Sequence, residues 1–216
     1  SLSEFARVVV PRGTTCVVED PHEIANVLGV RGVKLLLNES RKTPLKLYIM
    51  APSCVPSTNM ETSGAVIDAG EISKMFGLSG VIGLAEVMNF HGVICGDKKV
   101  WRKIRAAGDR PVDGHSPGLL GRELNAYLLG GIGSDHECTS EEEALEKLRL
   151  GMWVMVREGS AARNLRALKG VVSRYPHRCM LVTDGDRTPK DLVEEGYLDH
   201  VIRRAVEEGV DVVDAI

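Results

Sequence analysis

The chain has 216 residues, 44% of them hydrophobic and 26% charged, enough for one substantial core and short for two domains. Its net charge is −3, and no block of Lys or Arg stands clear of acids, so a phosphate-neutralising surface for nucleic acid is not expected. The longest apolar runs, such as Val8–Val10 and Gly151–Val156, fall far short of the ~20 residues of a membrane span.

Ser1-Leu2-Ser3-Glu4 reads as a capping box opening a helix that runs to about Val10. A strand is predicted at Thr14–Glu19, a helix at Ile24–Leu37, a strand at Leu45–Ala51 and a helix at Ala69–Phe76. Strand Val81–Val87, helix Lys98–Ala107, strand Pro111–Gly114 and helix Leu119–Leu129 continue the pattern, with Pro117 suited to a first helical turn. Strand Gly131–Ser134 precedes helix Glu141–Leu150, where Thr139 and Ser140 stand at capping distance from Glu142 and Glu143. Strand Met152–Val156, helix Ala161–Tyr175, strand Cys179–Thr183 and helix Lys190–Val210, opened by Pro189, complete the chain.

Strands regularly separated by amphipathic helices predict an α/β fold, either an open doubly wound sheet or a closed (β/α)8 barrel of the TIM type. No G-x-G-x-x-G fingerprint or P-loop supports the open sheet. Polar residues instead collect at the strand ends: Asp20 and His22, Ser53, Glu86, Asp113 and His115, Asp135 to Glu137, Arg157 and Glu158, then Asp184 and Asp186. That is how a barrel builds an active-site rim. A closed barrel needs eight strands, whereas the sequence opens on a helix without an initiating Met. The expectation is therefore a partial barrel over residues 1–216, strands two to eight, lacking its first strand. Open edges at Thr14–Glu19 and Cys179–Thr183 would favour association into homo-oligomers.

The five cysteines, Cys16, Cys54, Cys95, Cys138 and Cys179, fit neither a disulfide framework nor a Cys-rich zinc site, and a reducing cytoplasm is the simplest setting. Aromatics make up 4% of the chain, too few for open stacking platforms, so a ligand is expected in a pocket. Glu86, His115, His136 and Asp184 fall at the ends of four different strands. Together they suit a divalent metal that takes imidazole and carboxylate ligands, with a water made nucleophilic and a carboxylate moving its proton. Zinc, iron and manganese fit equally. His22 and Glu23 could reach a substrate or simply start a helix. Glu61, in a long loop, could belong to a lid or be a solvated carboxylate. Ser53 could also face a substrate, and Arg157 could hold a polar edge or pair with rim carboxylates.

Several stretches are more specific: Pro11-Arg12-Gly13-Thr14-Thr15, Asp20-Pro21-His22-Glu23-Ile24-Ala25-Asn26-Val27, Ala51-Pro52-Ser53-Cys54-Val55-Pro56, Gly83-Leu84-Ala85-Glu86-Val87-Met88-Asn89, Asp113-Gly114-His115-Ser116-Pro117-Gly118, Ser134-Asp135-His136-Glu137 and Arg157-Glu158-Gly159-Ser160. In order and over essentially the whole chain, they resemble the adenine deaminase family of the amidohydrolase superfamily. The resemblance implies a metal-dependent hydrolase of purine salvage that converts adenine to hypoxanthine and ammonia. It implies two divalent ions bridged by Glu86, with His115 and His136 on the second ion. Asp184 would bind the first ion and shuttle the proton, with Asp186 as the alternative acid. The family's His-x-His motif, which would precede Ser1, and its C-terminal β-rich domain have no counterpart here, so this polypeptide alone is expected to be inactive. The competing expectations are another amidohydrolase acting on a cyclic amidine or amide, and a non-catalytic scaffold or regulatory relative. The H-x-E and P-C-x-x-C signature of zinc deaminases that edit nucleic acids is absent.

Overall fold

The computed structural model describes residues 1–58 and 60–216. Helix α1 (Leu2–Val9) leads into β1 (Cys16–Glu19), followed by α2 (His22–Leu28), α3 (Val30–Ser40), β2 (Lys46–Ala51), α4 (Ala69–Met75) and β3 (Val81–Val87). Next come α5 (Phe90–Ile94), α6 (Lys98–Ala106), β4 (Val112–Gly114), α7 (Gly121–Leu128), β5 (Ser134–Asp135), α8 (Glu141–Arg149) and β6 (Trp153–Arg157). The chain ends through α9 (Leu165–Arg174), β7 (Cys179–Val182), α10 (Pro189–Glu194), α11 (Leu198–Glu207) and α12 (Val212–Ala215).

Parallel pairing runs β1-β2-β3-β4 and β5-β6-β7. The two sets adjoin where Gly133 N donates to Val112 O at 2.9 Å and Gly114 N donates to Ser134 Oγ at 3.4 Å. Strand order therefore follows chain order, as in a barrel of successive β-α units. A cavity of roughly 730 Å³ is lined by β1 residues on one side and by β7 residues on the other. Among the described residues β1 and β7 do not pair with each other. The fold is an α/β partial (β/α) barrel, open along one side.

Helices cover the outer face of the curled sheet. Ile49, Leu84, Ile72, Met75 and Val33 share one buried cluster, and Val154, Val156, Leu165, Leu168, Val171 and Ala205 share another. Burying each such aliphatic side chain contributes about 1.5–3 kcal/mol, which anchors the rim above it.

Several boundaries differ from those read in the sequence. The helix expected over Ile24–Leu37 breaks at Gly29, whose φ of 59° suits glycine. The final helix likewise breaks at Gly196, with φ 120°. Pro117 does not start a helix, and α7 begins at Gly121. Residues 161–164 stay outside α9 because Asp186 Oδ2 accepts from the amides of Ala161 and Ala162 at 2.9 and 2.8 Å. Helix α5 was not anticipated; Asn89 caps it by accepting from Gly92 N at 2.8 Å. Ser1 and Ser140 do cap their helices, accepting from Glu4 N and Glu143 N at 3.4 and 3.3 Å.

Candidate metal centre

Three neighbouring strands bring Glu86, His115 and His136 together. Glu86 lies in β3, His115 follows β4 and His136 follows β5. His115 Nδ1 is 2.9 Å and His136 Nε2 3.0 Å from Glu86 Oε2, and the two nitrogens are 3.2 Å apart. Each residue can offer one ligand atom to a common ion. The backbone around them is tied down. Ser53 Oγ donates to Glu86 O at 2.6 Å, and Tyr127 Oη accepts from His115 N at 3.0 Å while donating to Val87 O at 2.8 Å. Burial pushes the Tyr127 hydroxyl up, keeping it a donor.

The other oxygen of Glu86 faces a second group. Glu86 Oε1 is 3.4 Å from His22 Nδ1, which lies 3.0 Å from Asp20 Oδ2. His22 Nδ1 and Asp20 Oδ1 are buried polar atoms otherwise without partners. Burial pushes Asp20 up to about 6, and the neighbouring Asp20 carboxylate pushes His22 up to about 9. For Glu86, burial pushes upward, but the hydrogen bonds and charges of His115 and His136 outweigh it and hold the carboxyl well below its usual range. Asp20, His22 and Glu86 thus form a second set with ligand spacing, sharing Glu86 with the first. Orphaned buried polar atoms are costly, and a divalent cation would take the Asp20 oxygen and an unprotonated His22 nitrogen as ligands, so these residues fit one.

Asp184, just past β7, completes the cluster: its Oδ1 is 3.9 Å from His136 Nε2, and its Oδ2 accepts from Arg157 Nη1 at 2.9 Å. Its φ of 56° makes it the non-glycine residue held in the left-handed region among the described residues. Asp186 instead faces the loop after β6. Arg157 also donates from Nη2 to Glu137 Oε2 at 2.9 Å, and Glu137 Oε1 comes within 3.5 Å of both His115 and His136.

The remaining candidates separate. Glu23 lines the cavity with His22 at the start of α2, though its side chain is 80% exposed. Ser53 is bound to the Glu86 carbonyl, a supporting contact. Glu61 is not brought to the cluster; it is exposed, and its Oε1 accepts from Thr58 N at 3.1 Å and Thr58 Oγ1 at 3.2 Å. Arg157 is engaged by carboxylates, the ion-pair alternative. Glu137 and Asp20 were not singled out as site residues, although each adjoins or nearly adjoins a histidine that was.

The family described as the Amidohydrolase family matches residues 2–216. An adenine deaminase from Archaeoglobus fulgidus is 62% identical over 216 residues, covering all of this chain and 38% of that protein. Those from Methanothermobacter thermautotrophicus and Clostridium acetobutylicum are 49% and 47% identical, covering 99% and 100% of this chain. The chain spans 38% to 39% of the length of these curated relatives. Among solved structures, a Xaa-Pro dipeptidase aligns at 15% identity with a TM-score of 0.44, over 96% of this chain and 56% of that one. With its family signature spanning nearly every residue and its rim clustered as described, the chain belongs to the amidohydrolase family.

Proposed function

We propose that this chain is the metal-binding barrel of an enzyme that hydrolyses adenine to hypoxanthine and ammonia. The observation that carries the reading is Glu86, one carboxylate with His115 and His136 against Oε2 and His22 against Oε1. Relatives matching the chain from end to end and named adenine deaminases support the substrate. A binuclear site shared through Glu86 fits the two adjoining ligand sets, and manganese, iron or zinc suits their mixed imidazole and carboxylate donors. Ions there would supply the Lewis acidity that makes a water nucleophilic near neutral pH.

Asp184 does the proton work. Arg157 fixes its Oδ2, leaving Oδ1 toward His136 and the cavity. It accepts the water proton as the oxygen bonds to adenine C6, then delivers it to the exocyclic nitrogen as the C6–N bond breaks and ammonia leaves. His22 and Glu23 line the same cavity, where they would meet the purine; Arg157 serves through Asp184. The chain would supply strands two to eight, a further strand filling the gap between β1 and β7, with a β-rich domain beyond the barrel. Purine salvage in the cytoplasm, homo-oligomers and no nucleic-acid partner complete the proposal; none of the helices among the described residues is long and apolar enough to cross a membrane.

The test is to supply adenine to the full-length protein containing this chain, loaded with manganese, iron or zinc. Stoichiometric hypoxanthine and ammonia are expected. Ammonia released only from another cyclic amidine or amide would reassign the substrate, and metal binding without turnover of any would mark a non-catalytic relative.

A further inference from the structure

Beside the metal cluster lies a buried polar network centred on Lys147, in α8. Its side chain has no solvent exposure, and its three ammonium protons meet three acceptors. These are Ser116 O at 2.8 Å, Asp135 Oδ2 at 2.9 Å and Glu143 Oε1 at 2.7 Å. Asp135 is equally saturated: Oδ1 accepts from Ser116 N at 2.7 Å and Ser116 Oγ at 2.8 Å, and Oδ2 also takes Glu137 N at 2.9 Å. Glu143 accepts from Gly118 N at 2.9 Å and Thr139 N at 3.3 Å.

The placement of these ties matters more than their number. Ser116 directly follows His115, and Asp135 directly precedes His136. The loops after β4 and β5, each presenting one histidine to Glu86, are therefore fastened to the same ammonium. Asp135, Cys138 and Glu143 also have the spacing of a cation site, and the Lys147 ammonium is the cation among them. Burial works against both Lys147 and Asp135 as charges, yet their mutual attraction outweighs it and keeps both ionised.

We propose that Lys147 is a positioning residue for the metal centre: through Ser116 and Asp135 it sets the separation and aim of His115 and His136, and so the affinity of the site for a divalent ion. A buried ion pair is a weak source of net stability, since desolvation offsets its attraction, whereas ligand atoms must be held within a few tenths of an ångström. The proposal rests on the metal-binding reading of Glu86, His115 and His136, and is independent of the substrate.

The experiment uses the full-length protein containing this chain, stripped of metal, with Lys147→Met and the double variant Lys147→Met/Asp135→Asn. The double variant removes the lysine without leaving an extra buried negative charge, so it stays informative if the single one fails to fold. Zinc affinity is read by competition with a chromophoric chelator, the ligand geometry by the visible spectrum of the cobalt(II) form, and folding by circular dichroism. The expected result is a zinc affinity weaker by about 10- to 100-fold, the loss typical of residues that orient metal ligands, with altered cobalt bands in a cooperatively folded protein. Folded variants with the parent's zinc affinity and cobalt spectrum would overturn the role of Lys147. A parent that binds no zinc or cobalt would instead overturn the metal centre itself, and the proposal with it.

Discussion

Arg157 Nη1 lies 2.9 Å from Asp184 Oδ2, while its Nη2 lies 2.9 Å from Glu137 Oε2. One guanidinium at the end of β6 therefore joins the acid that follows β7 to the residue that follows His136. Asp184, at φ 56°, occupies backbone space a side chain reaches at some cost, and this pairing helps hold it there. In the full-length protein containing this chain, Arg157→Met is expected to lower the kcat of the proposed adenine hydrolysis by about 10- to 100-fold with metal content unchanged. Arg157→Lys should not restore it, because an ammonium is a point donor without the guanidinium fork. Steady-state kinetics beside metal analysis check both; an unaltered kcat in Arg157→Met would remove Arg157 from the mechanism.

Glu86→Gln removes the carboxylate that both ligand sets share. Metal affinity should fall by more than about 100-fold, beyond the loss typical of a residue that only supports a ligand. Ser53→Ala, which removes the bond to the Glu86 carbonyl and the 3.1 Å contact with Cys54 Sγ, should cost about 1 kcal/mol of stability and leave metal stoichiometry intact. Urea unfolding and metal titration of the two variants separate ligand from support.

Much of the barrel was legible because its signals are local. Val81–Val87 is an apolar run ending next to a lone acid, and Ser140 stands three residues before Glu143, so strand, rim residue and cap could each be read without knowing the partner. What escaped depends on contacts distant in sequence. The apolar period runs unbroken from Ile24 to Leu37, and only the φ of Gly29 divides it. Asp184 and Asp186 look alike in sequence; they separate because Asp186 is claimed by the amides of Ala161 and Ala162. The length of its loop leaves Glu61 open between a lid acid and a solvated carboxylate; it is exposed and accepts from Thr58. Glu137 gained its place only when the curl of the sheet brought Arg157 across to it.

Gly114 has no room for a side chain. A Cβ there would run into the Ser134 carbonyl and come within 2.7 Å of Ile132 Cγ2 and 3.0 Å of Tyr127 Oη, the hydroxyl that holds the His115 amide. Gly114→Ala should cost about 1–3 kcal/mol through overpacking and weaken metal binding by pushing β4 away from β5. A variant with parent stability in urea and parent zinc affinity would refute the close approach.

The edges of β1 and β7 carry exposed apolar side chains, with Val18 at 57% and Met180 at 37%. Unpaired parallel edges of this kind favour pairing between copies. The chain of residues 1–216 should sediment as species larger than its 23.5 kDa monomer, and Val18→Lys should shift it toward the monomer. Sedimentation velocity at several concentrations reads the outcome directly.

In the metal-free chain His22 stands beside the carboxylates of Asp20, Glu23 and Glu86, which, Asp20 chiefly, raise it from 6.5 to about 9. A raised histidine contributes stability that is fully present below pH 6.5, where folded and unfolded chains both hold the proton. As pH rises from 6.5 to about 9 the unfolded chain releases it first, so stability falls and the contribution is gone above that window. Glu19, pushed up to about 7 chiefly by burial, adds a fall of its own between 4.5 and 7, so the histidine is isolated by comparison with His22→Asn. The urea midpoint of the parent should decline between pH 6.5 and 9 more steeply than that of the variant. A divalent ion takes the histidine nitrogen unprotonated, so saturating zinc should abolish the difference in slope, and zinc affinity should rise with pH across the same interval. Parallel slopes in the metal-free proteins would show that His22 is not held protonated by its neighbours.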